Sequence, residues 1–152
     1  MGALHSRLRR RKLTVASAES CTGGLLAALL TTHPGSSDYF KGGAVVYSNE
    51  AKTILADVAA DLIHGHGAVS SVVAGALARG ARARLGAKIG LGITGIAGPG
   101  GATPGKKVGL TYVAVDSDDH SVVKKYEWPY DREGNRLASV GAALDLLDKA
   151  IA

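Results

Sequence analysis

Ser20 and Lys52 each stand where an apolar run gives way to a helical pattern, in Ala18-Glu19-Ser20-Cys21-Thr22-Gly23-Gly24 and in Tyr47-Ser48-Asn49-Glu50-Ala51-Lys52. Open α/β sheets bind ligands at such strand-to-helix junctions. Amides at the start of a helix can hold an oxyanion or a phosphate, Gly23 and Gly24 allow a close approach, and Ser20 is placed to be a nucleophile. Helix capping by Ser20 or Thr22 explains the same residues without chemistry. A lysine desolvated in a cleft shared with Ser20 would lose its proton near neutral pH and act as base, with Tyr47 orienting either group. Without such a partner, Lys52 is a solvated lysine on a first helical turn.

A third stretch, Thr94-Gly95-Ile96-Ala97-Gly98-Pro99-Gly100-Gly101, is rich in glycine for a plain connection. Its accessible amides, with the Thr94 hydroxyl, suit a phosphate or a ribose; a mobile loop is the alternative. Arg132 and Arg136, at the start of the last helical pattern, either reach a phosphate or form surface ion pairs. Cys21 is a second candidate nucleophile, but no motif offers a histidine to serve as its base. His64-Gly65-His66 has metal-ligand residue types without a Cys, Asp or Glu cluster at a recognised spacing, and reads as a turn before a helix.

Two nucleotide fingerprints match on paper and fail on context. Gly90-x-Gly92-x-x-Gly95 lies inside a strand pattern and is followed by glycine and proline rather than a helix. Gly100-x-x-x-x-Gly105-Lys106 has Lys107 where a P-loop needs Ser or Thr, and a strand pattern follows where a helix belongs.

These motifs must be carried by elements that the same sequence specifies. The strand patterns are Leu13 to Ser17, Gly43 to Tyr47, Ile89 to Thr94, and a hairpin of Val108 to Val115 with Val122 to Trp128 around Asp116 to His120. Helical patterns cover Cys21 to Thr32, a segment capped by Asn49, Ser71 to Leu85 behind Ser70, and Arg132 to Ala150. The order predicts an α/β fold: a three-layer sandwich with a mixed, mostly parallel sheet and helices on both faces. Residues 13–152 read as a single domain behind a basic segment, 1–12.

The chain has 152 residues and a net charge of +5, but Arg7, Arg9, Arg10, Arg11 and Lys12 account for all of that excess. The body is close to neutral, which removes the main electrostatic case for nucleic acid, and the basic segment is expected to be solvated and frayed. The single cysteine excludes an intramolecular disulfide, and a reducing, cytoplasmic setting fits. No apolar run is long enough for a membrane span.

Taken in order, Ala18 to Gly24, Pro34-Gly-Ser-Ser37, Tyr47-Ser-Asn-x-x-Lys52, His66-Gly-Ala-Val-Ser70 and Thr94-Gly-Ile-Ala-Gly-Pro99 resemble the motif series of the CinA C-terminal family. The resemblance runs from about Leu13 to the C-terminus. It implies an amidohydrolase acting on nicotinamide mononucleotide, giving nicotinic acid mononucleotide and ammonia in pyridine-nucleotide salvage by a Ser/Lys dyad. No metal or other cofactor is implied, and a homo-oligomer, dimer or higher, is. Carried onto this chain, Ser20 is the nucleophile, Lys52 the base, Tyr47 and Thr94 nearby polar groups, and Ser37 a pocket-lining residue. Cys21, Thr22, Gly23, Gly24, Gly95, Gly98, Arg132 and Arg136 complete the expected substrate site. The competing reading is a non-catalytic nucleotide-binding or partner-binding module on the same fold. A Ser20–Lys52 approach within hydrogen-bond reach would favour the enzyme.

Overall fold

A computed structural model describes residues 2–152. In chain order the elements are α1 (Gly2–Arg10), β1 (Val15–Glu19), α2 (Leu25–Leu30), β2 (Phe40–Val45), α3 (Asn49–Ala56), α4 (Ala60–His66), α5 (Ser71–Leu85), β3 (Ile89–Gly95), β4 (Leu110–Asp116), β5 (Ser121–Glu127) and α6 (Arg132–Ala150), with a 3-10 turn at Ser36–Asp38 before β2. The strands form one sheet in the order β2-β1-β3-β4-β5. β1 pairs in parallel with both β2 and β3, and β4 pairs antiparallel with both β3 and β5. β4 therefore runs against the other strands, and the sheet is mixed, as expected.

Alternation along the central strands builds the layers. Val15 of β1 and Ile89, Leu91 and Ile93 of β3 join Leu4 and Leu8 of α1, Leu26 and Leu30 of α2, and Val140 and Leu147 of α6 in one apolar cluster. Ala16 and Ala18 of β1 face the other way, with Ala56 of α3, Ile63 of α4 and Val73 and Leu77 of α5. The glycines at Gly90 and Gly92 belong to this second layer. A Cβ at either would overlap a backbone carbonyl oxygen of α5, Ala78 or Ala74 respectively, so they let the helix lie directly on the strand. That is the physical content of the dinucleotide-like spacing.

The first residues depart from the expected frayed segment. Leu4 and Leu8, one helical turn apart, are buried, and Leu8 is fully so. Arg7 pairs with Asp148 at 3.0 Å, Arg9 pairs with Asp38 at 2.7 Å, and the Arg11 guanidinium donates to the Ile151 carbonyl. Burial of the leucine stripe and these contacts fix the helix, so part of the basic excess is neutralised locally. His64 and His66 lie in the last turn of α4 rather than in a turn before a helix. The N-cap of α3 is Ser48, whose hydroxyl accepts from the Ala51 amide at 3.0 Å; Asn49 is the first helical residue.

Candidate active site

β1 ends at Glu19, and the chain turns through Ser20 to Gly24 before α2 begins. Glu19 is 1% exposed, and its carboxylate accepts from the Thr22 hydroxyl at 2.7 Å and from the Gly24, Leu26 and Ala27 amides at 3.1, 3.0 and 2.8 Å. The cap of α2 thus comes from the strand before it, and its first amides are not free for a ligand. Gly23 and Gly24 take positive φ, 61° and 100°, which the tight turn requires. Between Ser20 and Ala27, only Cys21 and Thr22 have amides without an acceptor among the described residues.

Lys52, on the first turn of α3, is 2% exposed. Its ammonium donates to the Tyr47 and Ser48 carbonyls at 3.3 and 3.4 Å, and no carboxylate pairs with it among the described residues. Burial without a counter-ion lowers its pKa from the ordinary lysine value, opposed only by the nearby Cys21. Burial pushes the Cys21 thiol the other way, up to about 11, so it is protonated at neutral pH and a poor nucleophile.

The start of α6 ties the site loops together from one helical face. Arg132 donates to the Gly98 carbonyl at 2.7 Å and to the Tyr47 hydroxyl at 3.1 Å. Asn135, 2% exposed, donates to the Ala97 carbonyl at 3.0 Å. Arg136 donates to the carbonyls of Cys21 and Thr22 at 3.2 and 3.0 Å. Neither arginine forms an ion pair among the described residues, and Asp131 is instead the N-cap, accepting from the Gly134 amide at 2.8 Å. Thr94, at the end of β3, donates to the Ala68 carbonyl at 2.8 Å and so anchors the segment before α5.

A cleft of about 300 Å³ gathers Ser20, Cys21, Tyr47, Asn49, Lys52, Thr94, Gly95, Gly98 and Arg132 around one space. No hydrogen bond joins Ser20 to Lys52 among the described residues. Larger hollows adjoin it: one of about 590 Å³ between α3 and α4, and one of about 730 Å³ beside Tyr130, Arg132 and Arg136. The smaller cleft is the one that holds Ser20 together with the buried Lys52.

Several expected residues fall elsewhere. Ser37 is exposed on the 3-10 turn and does not line the cleft. Thr22 is buried with its hydroxyl on Glu19, and Gly23 and Gly24 shape the turn rather than the cleft wall. Arg136 braces the turn and opens on the neighbouring 730 Å³ hollow. Lys106 of the near-P-loop donates to the His66 carbonyl at 3.2 Å, at the end of α4. Glu19 and Asn135 carry no role in the sequence reading. For Glu19 the signal was a helix opening on Gly24-Leu25 with no capping side chain; for Asn135 it was the spacing from Arg132, which puts both on one face.

Ser20 follows β1 and the buried Lys52 lies on the helix after the neighbouring β2, which defines an α/β domain with a polar cleft at one end of its sheet, and the comparisons with known proteins place it. The model of the CinA C-terminal domain matches residues 1–151. The chain belongs to the CinA C-terminal domain family. It is 51% identical over 144 residues to a CinA-like protein of Acidobacterium capsulatum, covering 95% of this chain and 35% of that one. A putative competence-damage inducible protein of Moorella thermoacetica is 49% identical, with the same 95% and 35% covered. The chain thus spans about a third of the length of these curated relatives. Among solved structures, the competence/damage inducible protein CihA from Agrobacterium tumefaciens has a TM-score of 0.91 at 37% identity, covering 98% of this chain and 93% of that one. A CinA superfamily protein from Escherichia coli has a TM-score of 0.93 at 30% identity, covering 97% and 86%.

Proposed function

We propose that this chain is an amidohydrolase that converts nicotinamide mononucleotide to nicotinic acid mononucleotide and ammonia, with Ser20 as nucleophile and Lys52 as general base. The observation that carries the reading is a buried lysine without a counter-ion, sharing one small cleft with a serine at the end of the adjacent strand. Membership of the CinA family supports it.

In the proposed reaction neutral Lys52 takes the Ser20 hydroxyl proton as the oxygen attacks the carboxamide carbon. The amide of Cys21, an unengaged donor of the turn on a residue that lines the cleft, receives the developing oxyanion, an interaction worth about 3 kcal/mol per donor in characterised enzymes. The C–N bond breaks as the lysine returns its proton to the leaving nitrogen, releasing ammonia. Water, deprotonated by the same lysine, then attacks the Ser20 ester and frees the carboxylic acid. Arg132, at the cleft rim without a carboxylate partner, is the group assigned to the substrate phosphate. The residues propose no metal or other cofactor for this sequence of steps.

The missing Ser20–Lys52 hydrogen bond favours a second reading, a nucleotide-binding or partner-binding module without turnover. Its weight is limited because the lysine is held only by long bonds to Tyr47 and Ser48, and catalytic contacts commonly tighten when substrate binds. Ammonia release from nicotinamide mononucleotide, compared with free nicotinamide, separates the readings. Turnover that requires the phosphoribosyl group supports the proposed enzyme; no release from either amide by folded protein supports the binding module. A homo-oligomer remains part of the proposal.

A further inference from the structure

We propose that Glu19 is the positioning residue of the nucleophile turn: its buried carboxylate holds the backbone so that Ser20 faces the cleft and the Cys21 and Thr22 amides stay unengaged. This rests on the proposed reading of Ser20 as nucleophile. All the partners of Glu19 are donors, three on one oxygen and the Ala27 amide on the other. The group is 1% exposed, so it is not a general acid open to substrate. The turn is gripped on its opposite polarity by Arg136, which takes the Cys21 and Thr22 carbonyls. Between these grips the backbone of Cys21 and Thr22 has its carbonyls engaged and its amides free, and Cys21, which lines the cleft, thereby presents the polarity an oxyanion site requires.

A glutamine in place of Glu19 has nearly the same shape, yet it must turn an NH2 group toward an N–H or an O–H that needs an acceptor. Glu19→Gln therefore loosens the turn without emptying the core. A misplaced nucleophile costs about a hundredfold in rate while leaving ground-state binding largely intact. Glu19→Gln is expected to lower kcat for ammonia release by about that factor, with KM changed by less than about threefold. Thr22→Val, which removes one donor and keeps the carboxylate, should move kcat the same way by less. Leu8→Ala, in α1 away from the cleft, is the control for lost stability and should keep wild-type kcat per folded molecule.

The labelling rate of Ser20 by a fluorophosphonate, read by mass, separates this inference from the substrate assignment. If wild type labels at Ser20 but does not hydrolyse nicotinamide mononucleotide, the substrate reading fails, and slower labelling of Glu19→Gln still supports the positioning role. Equal labelling and equal kcat in folded Glu19→Gln and wild type would overturn it, as would an equal loss in Leu8→Ala. If Glu19→Gln does not fold, Thr22→Val decides on the same readouts. A wild type that never labels at Ser20 overturns the positioning role and the nucleophile together.

Discussion

Lys52 concentrates the residue-scale chemistry, because burial without a counter-ion favours its neutral form. A base that must be neutral gives a rate that rises with pH, and burial places the midpoint of that rise below the ordinary lysine value; a kcat/KM profile measures it. Stability has a matching sign. Between the lowered folded value and the ordinary one the unfolded chain binds more protons, so stability should rise with pH across that window, and Lys52→Met should flatten the rise in denaturant titrations at several pH values. Cys21, with its thiol pushed up to about 11, should alkylate slowly with iodoacetamide at pH 8, much more slowly than a free thiol. Ser20, Tyr47 and Lys52 are legible as a set because their motifs sit at strand-to-helix junctions, and Thr94 because it opens a glycine-rich loop at the end of its strand. Ser37 was misplaced for the converse reason: its motif supplied residue types, but the exposed 3-10 turn that carries it does not reach the cleft.

The elements place those residues by how closely they approach each other. Gly90→Ala or Gly92→Ala would drive a methyl into a carbonyl of α5 and should cost about 3 kcal/mol, read as a lower denaturant midpoint at unchanged m-value. The helices at Ser71–Leu85 and Arg132–Ala150 match the approximate ranges the sequence predicts, the first behind its Ser70 cap. β1 was displaced by two residues, from Leu13–Ser17 to Val15–Glu19, because a fully buried strand lacks the alternation that fixes its ends. α4 was missed since its N-cap position, Ala59, carries no capping side chain and Gly65 interrupts it. The α2 cap poses the same difficulty: the residue that satisfies the amides belongs to the preceding strand.

Across the whole molecule, α1 is part of the core rather than an appendage. Leu8 is fully buried in the cluster that includes Leu147 and Ile151, so Leu8→Ala should cost about 2 to 5 kcal/mol in equilibrium unfolding. The arginines hid this from the sequence, since a segment rich in charge but only nine helical residues long buries just its leucine stripe. The mixed sheet with helices on both faces was legible from the order of strand and helix patterns, whereas convergence of the Thr22, Tyr47 and Gly98 loops on one end of α6 was not, because it depends on contacts far apart in the chain. Ser20 and Lys52 likewise come from separate motifs brought to one cleft, and their cooperation is the central claim. The most direct test is ammonia release from nicotinamide mononucleotide by the wild type beside folded Ser20→Ala and Lys52→Ala. Release by the wild type that is lost in both variants is the expected result; activity retained in either variant, or none in the wild type, would contradict the dyad.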